Sequence, residues 1–155
     1  MIKYQKKLKE LIDEKRLNHA LRVSIESKKL ASHWKINKKQ ASIAGLLHDC
    51  AKNLTITDLK KYNIRKTKVA IHENFKSTWH AFIAKEILRK VFKIKQKSII
   101  NAAKWHCTGK PKMTPLEKII FIADYIEPER KKENIEIIRK TAYENINLCL
   151  YMILN

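Results

Sequence analysis

Ala44-Gly45-Leu46-Leu47-His48-Asp49-Cys50-Ala51-Lys52 is the stretch on which the reading of this chain turns. Its residues through Leu47 are small and apolar, as suits a helix packed in an interior. Two adjacent metal-binding side chains then follow where that helix is still expected to be buried. A carboxylate in apolar surroundings is costly unless a cation or a full set of hydrogen bonds compensates it. A metal ion is the economical explanation, and other segments carry residues able to complete its coordination.

Helical periodicity extends in both directions from this stretch. Asn37 caps a helix predicted from Lys38 to about Ala51, with Ala41, Ala44, Leu47 and His48 on its buried face. Upstream, Leu8, Leu11 and Ile12 suggest a helix over about residues 2 to 14. A second is predicted from about 17 to 32, with Leu21, Ile25 and Leu30 inward. Downstream, Thr55 or Thr57 opens a short helix ending near Tyr62. Residues 63–76 read as a loop with a short helical piece, and Ser77 as the cap of a helix burying His80, Ile83, Ala84, Ile87 and Leu88. The next carries Ile99, Ala102, Ala103 and His106 and stops at Gly109 and Pro111.

Thr114, Pro115 and Glu117 then spell a capping box ahead of Leu116, Ile119, Ile120, Ala123 and Asp124, and Pro128 ends that helix. A last helix is expected over about 132 to 150. Alternating strand patterns are absent. The fold class is all-α, a single-domain helical bundle over residues 1–155, long enough for one filled core.

Composition narrows the function. The three cysteines, Cys50, Cys107 and Cys149, form no CxxC pair and no disulfide pattern, which points to a reducing, cytoplasmic setting. No secretory signal opens the chain, and no run approaches the ~18 apolar residues of a membrane span. The net charge of +19 invites a nucleic-acid hypothesis. Only six of the 34 basic residues are arginines, and the lysines are scattered over every segment. Dispersed lysines read as solvated faces, so nucleic acid is disfavoured, while a small phosphorylated substrate would suit the charge equally well.

His48, Asp49, His80, His106 and Asp124 fall on apolar faces, and His19 joins them near the start of the second helix. Any one of these has a bland reading as a hydrogen-bonded core residue. Six in one small domain do not. His19, His48, Asp49 and Asp124 offer mixed nitrogen and oxygen ligands without thiolate, which suits iron, manganese or catalytic zinc better than a closed structural zinc site. Four protein ligands leave positions on an octahedral ion for water and a phosphate oxygen, where the metal activates the water and draws charge from phosphorus. The cysteines read as poor ligands: Cys50 points about 100° away from Asp49 on a helix.

Arg16-x-x-His19, the Ala44–Lys52 run, His80, Trp105-His106-x-Thr108-Gly109 and the long run from Leu116 through Asp124-Tyr125-Ile126-Glu127-Pro128-x-Arg130 together resemble one family. It is the YqeK-type branch of the HD superfamily, the bacterial symmetrical diadenosine tetraphosphate hydrolases, and the likeness covers roughly residues 10 to 145. The resemblance implies an HD-type helical fold holding iron through His19, His48, Asp49 and Asp124. It implies cleavage of diadenosine tetraphosphate into two ADP. It also implies that Lys52, His80, His106, Thr108, Gly109, Tyr125 and Arg130 surround the nucleotide and its phosphates.

The residues suit those roles. Lys52 stands one helical turn beyond His48, Arg130 offers a planar fork for phosphate, and Thr108 and Gly109 let an anion approach a helix end. His80 and His106 can bind phosphate, donate a proton to the departing ADP, or hold a second metal; phosphate contact and proton donation are favoured, because no further bridging oxygen ligand is identifiable. Tyr125 reads equally as packing, and Trp34, Trp79 and Trp105 as core or interface anchors. His33 and His72 read as surface residues. The apolar tail, Leu148 to Asn155, is shorter than in relatives and suggests packing on the core or in a homodimer. Rival readings are another HD-type activity on nucleotides or cyclic dinucleotides, and a non-enzymatic basic nucleic-acid-binding protein.

Overall fold

The Asn37 cap forms as the sequence predicts: its side chain accepts from Gln40 N at 3.0 Å and opens α3, Lys38–Leu47. The computed structural model describes residues 1–64 and 78–155. Within them the other helices are α1 (Ile2–Leu8), α2 (Glu14–His33), α4 (Ile56–Lys61), α5 (Trp79–Lys90), α6 (Lys97–Trp105), α7 (Pro115–Ile126), α8 (Ile135–Glu144) and α9 (Ile146–Leu154). No strand occurs among the described residues, so the chain is all-α. The expected Ser77 cap, His72 and the loop after Ile64 lie outside them. Among them, no helix is long and apolar enough to cross a membrane.

The helix that carries the His-Asp pair is shorter than its pattern suggests. It ends at Leu47, and His48 already occupies the C-cap. Tight turns follow, with Cys50 N donating to Leu47 O at 3.2 Å and Lys52 N to Asp49 O at 2.9 Å. Lys52 is therefore not carried one α-helical turn beyond His48, as its spacing implies. α3 lies along α2, and Gly45 is the reason it can do so closely. A Cβ there would stand 2.6 Å from Ser27 Oγ, 3.0 Å from Val23 O and 3.1 Å from Ser24 Cα.

α2 starts at Glu14, earlier than predicted, because Asp13 caps it by accepting from Arg16 N at 2.7 Å. The predicted helix over 2 to 14 accordingly stops at Leu8. Leu11 and Ile12 are still buried, from the turn between the two helices. The buried face of α2 runs through Leu17, Ala20, Val23, Ser24, Ser27 and Leu30, so small side chains set it. Ile25, expected inward, is 58% exposed.

α4 begins at Thr55 rather than Thr57, with a capping box to Asp58. The capping box at Thr114 and Glu117 forms as expected: Thr114 N donates to Glu117 Oε2 at 2.7 Å. α6 stops at Trp105, and Gly109, with φ +62°, takes the left-handed conformation that closes its end. The last expected helix is two. Asn145, with φ −151°, breaks it and caps α9 by accepting from Asn147 N and Leu148 N. α2, α3, α6 and α7 pack on one another, α5 lies on α6, and α8 and α9 pair beside α7. The polar residues of the sequence pattern all face the space these helices enclose.

Candidate active site

Each helix end delivers one or two groups to this space. α2 brings His19, and the turn after α3 brings His48 and Asp49. The first turn of α5 brings His80, the end of α6 brings His106, and the last turn of α7 brings Asp124. His19, His48, Asp49, His80 and His106 are buried, and Asp124 is half-buried. His19 Nε2 lies 3.0 Å from Asp124 Oδ1, and His48 Nε2 lies 3.8 Å from the same oxygen and 3.6 Å from Asp49 Oδ2. On the other side, Asp49 Oδ1 lies 3.0 Å from His80 Nε2 and 3.2 Å from His106 Nε2.

Backbone carbonyls fix the imidazoles. His48 Nδ1 donates to Gly45 O and His106 Nδ1 to Ala103 O, each at 2.7 Å. Because a carbonyl only accepts, those protons sit on Nδ1, and the His48 Nε2 lone pair faces the centre. For His106, burial is outweighed by Asp49 and Cys107 beside Nε2, which raise the imidazole to about 10 and favour a proton there as well. His19 Nδ1 likewise faces the carboxylate of Glu127 at 3.3 Å. His80 is opposite. Its Nδ1 is 3.2 Å from Lys52 Nζ, which only donates, so the neutral ring carries its proton on Nε2.

Two buried nitrogens at the centre, His19 Nε2 and His48 Nε2, have no hydrogen-bond partner although carboxylate oxygens lie close to both. Unsatisfied buried donors and acceptors are costly, and a cation is what would satisfy lone pairs converging in this way. His19, His48 and Asp124 place one ligand atom each within 4.8 Å of one another, as do His48, Asp49 and His106. The residues therefore fit a divalent ion.

Electrostatics agree with that fit. Burial pushes the His48 imidazole down to about 4, so it stays neutral and able to bind metal. Burial works against ionised Asp49 and Asp124, yet the surrounding imidazoles, with Arg130 beside Asp124, hold both carboxyls well below the usual range. Arg16 Nη1 pairs with Asp49 Oδ2 at 2.9 Å, and Arg130 Nη2 with Asp124 Oδ1 at 2.8 Å. These two guanidinium groups, with His19, Arg22 and Glu127, line an open cleft that leads to the cluster.

Other residues named from sequence take different places. Thr108 is exposed, with its hydroxyl donating to Gly109 O, and Gly109 is buried against Met113 and Phe121. Tyr125 packs on the core, with Lys132 Nζ 3.6 Å from its ring centre. Among the described residues no side-chain hydrogen bond or ion pair joins Thr108 or Tyr125 to the cluster. Half-buried Trp105 meets Phe82 edge to face and lies under Lys104 Nζ, Trp34 and Trp79 pack against the core, and His33 is exposed.

Sequence reasoning missed three contributors. Glu127 is buried at 2% exposure, accepts from Arg22 Nε at 2.6 Å and holds His19. Arg16 had a place in the motif but no role. Cys107, set aside with the other cysteines, has its Sγ 3.0 Å from His106 Nε2 and 3.3 Å from His80 Nε2. Burial raises this thiol, and its contacts with His106 and His80 outweigh burial and bring it to about 7.

The HD domain family matches residues 16–129, the span that contains all four expected metal ligands. The chain belongs to the HD family, a family of phosphohydrolases. Its relatives include the symmetrical bis(5'-nucleosyl)-tetraphosphatases of Bacillus subtilis, 31% identical over 92% of this chain and 77% of the relative, and of Staphylococcus aureus, 33% identical over 90% and 73%. A probable nicotinate-nucleotide adenylyltransferase/Ap4A hydrolase of Mycoplasma genitalium is 36% identical over 81% of this chain, which spans only 36% of that longer protein. The crystal structure of a predicted HD superfamily hydrolase involved in NAD metabolism from Clostridium acetobutylicum superposes with a TM-score of 0.84 at 33% identity, over 97% of this chain and 80% of that one.

Proposed function

We propose that this protein is a metal-dependent phosphohydrolase that splits diadenosine tetraphosphate at the centre of its phosphate chain, giving two ADP. The observation that carries the reading is the convergence of His19 Nε2 and His48 Nε2, buried and without hydrogen bonds, on Asp124 Oδ1, with Asp49 Oδ2 beside His48. The names borne by the Bacillus and Staphylococcus relatives support the substrate. His19, His48, Asp49 and Asp124 would hold one divalent ion, iron by resemblance and manganese as the alternative. When bound, such an ion supplies Lewis acidity toward a phosphoryl oxygen and acidifies water.

The remaining work falls to the chain's own groups. Arg16, Arg22 and Arg130 line the cleft and offer planar forks to the polyphosphate. Lys52 holds the proton of His80 on Nε2, the atom that faces the cluster, so His80 is placed to protonate the departing ADP. His106 Nε2, 3.3 Å from His80 Nε2, is placed to meet phosphate or to donate a proton beside it. Thr108, Gly109 and Tyr125 belong to the nucleotide's outer surroundings in this reading. The protein acts as a single HD domain over residues 1–155 in the cytoplasm, where its three cysteines stay unpaired.

Purified protein loaded with iron or manganese under anaerobic conditions is to be incubated with diadenosine tetraphosphate and the products separated. ADP alone is expected, and His48→Ala or Asp49→Ala should lose both metal and turnover. AMP with ATP, or turnover only of nucleoside monophosphates or cyclic dinucleotides in a parallel panel, would overturn the assignment. Salt-sensitive RNA or DNA binding that survives chelation, with no hydrolysis, would favour the nucleic-acid-binding alternative.

A further inference from the structure

The last carbonyls of a helix have no partner within it and need one from outside. At the end of α7 the backbone does not supply one in the usual way. Glu127, its C-cap, is extended at φ −50° and ψ 150°, not in the left-handed conformation that turns the following N–H groups back onto the helix. Pro128 comes next and has no N–H to give. One side chain of α8 meets the carbonyls instead. Arg139 Nε donates to Ile126 O at 3.0 Å, and Nη2 is shared among Glu127 O at 2.9 Å and Pro128 O and Arg130 O at 3.2 Å each. Nη1 pairs with Glu136, one turn back on α8.

This guanidinium grips residues 126–130 by the backbone, and that turn carries two groups of the centre. Glu127 faces His19 Nδ1, while Arg130 donates to Asp124 Oδ1 at 2.8 Å and to Asp124 O at 3.1 Å. α8 is itself anchored to α2, the helix of His19. Trp34 Nε1 donates to Ala142 O at 3.0 Å, and Tyr143 Oη to Glu26 Oε1 at 2.6 Å. The match to the HD family ends at residue 129, so this clamp is supplied from beyond it.

We propose that, in the metal-dependent hydrolase described above, Arg139 is a positioning residue of the metal centre. By fixing the turn at 126–130 against α2, it sets where Glu127 holds His19 and where Arg130 holds Asp124. The planar fork is what the task requires, since four carbonyls spread over five residues are out of reach of a single ammonium.

Two measurements without substrate test this. Amide hydrogen exchange on the metal-free protein reads the turn, in which Arg130 N donates to Glu127 O and Glu129 N to Glu127 Oε2. In Arg139→Ala both amides should exchange on the order of 10-fold faster, while those in the middle of α3 keep their protection. Manganese binding reads the centre, and its affinity should fall on the order of 10-fold, as when a partner behind a ligating residue is lost. Combining Arg139→Ala with Glu127→Gln should cost less than the product of the two single losses, because both act on His19. Arg139→Lys keeps the charge at the end of α7 without the fork and should lose most of the same affinity. Wild-type manganese affinity in Arg139→Ala, exchange that quickens equally in α3, or losses that multiply in full overturn the positioning role alone. Wild type that binds no manganese overturns the hydrolase reading and the positioning role with it. Should Arg139→Ala fail to fold, Arg139→Lys decides: exchange and affinity equal to wild type overturn the proposal.

Discussion

Glu127 is the residue whose removal speaks most directly about the centre without touching it. Its carboxylate accepts from Arg22 and faces His19 Nδ1, so it keeps the His19 proton on Nδ1 and the Nε2 lone pair inward. Glu127→Gln preserves volume but not the obligatory acceptor pair. Metal affinity should fall roughly 10–100-fold, as is usual when a partner behind a ligating histidine is lost. Equilibrium binding of manganese measures this, and an unchanged affinity would leave Glu127 a partner of Arg22 alone. Why this residue escaped sequence reading is plain from its position. It lies just past the end of α7 and before Pro128, where a glutamate ordinarily meets solvent. Cys107 escaped for a different reason, since three widely spaced cysteines without a CxxC pair were set aside together as poor ligands. His48, Asp49, His80, His106 and Asp124 were legible because each interrupts an apolar helical face, which is a pattern that one sequence displays by itself.

At the scale of elements, caps were readable and interruptions were not. Thr114 with Glu117 and Asn37 with Gln40 are local signals spanning three residues, and both form. The break at Asn145 and the early start of α2 at Asp13 depend on which of several polar residues turns its side chain back onto the chain, which periodicity does not rank. The crossing of α2 and α3 carries a test of its own. Gly45→Ala sets a methyl 3.0 Å from Val23 O and 3.1 Å from Ser24 Cα, both backbone atoms that yield only if the helices part. The gain in helix propensity, about 1 kcal/mol, should be overridden by overpacking of about 1–3 kcal/mol. A lowered denaturation midpoint, together with weakened metal binding because His48 follows three residues later, is the expected result. A stabilised variant would contradict the close crossing. α4 offers a pH test. The Asp58 carboxyl is held down to about 2, chiefly by the Thr55 backbone N–H, then by its hydroxyl and by Lys61. Because the folded value lies below the unfolded one, this support for the helix start is present above about pH 4 and lost as pH falls toward 2. In Thr55→Ala, NMR titration should find Asp58 nearer the ordinary value of about 3.9, since one of its two Thr55 donors is lost. A value that does not move would mean the backbone bond alone sets it.

Across the whole molecule, the charge of +19 and the central cluster bear on stability in opposite senses. Dispersed lysines repel one another in the folded state, a cost that salt screens. The cluster instead draws α2, α3, α5, α6 and α7 toward one point, so a cation there ties together elements that are distant in the chain. Its ligands do not converge in the unfolded chain, and binding energy is therefore folding energy. At an ion concentration about 100-fold above Kd the stabilisation is about 2.7 kcal/mol. For a domain of this length each kcal/mol moves Tm by about 2–4 °C, so manganese should raise Tm by roughly 5–11 °C, and a chelator should reverse the gain. Magnesium, which favours oxygen ligands and keeps its waters, should do much less at the same concentration. Sodium chloride at matched ionic strength separates screening from binding: it should move wild type and His48→Ala alike, whereas only wild type should respond to manganese. An equal response of both proteins to manganese would mean that the ion acts on the lysine-rich surface and that the converging imidazoles and carboxylates do not hold it.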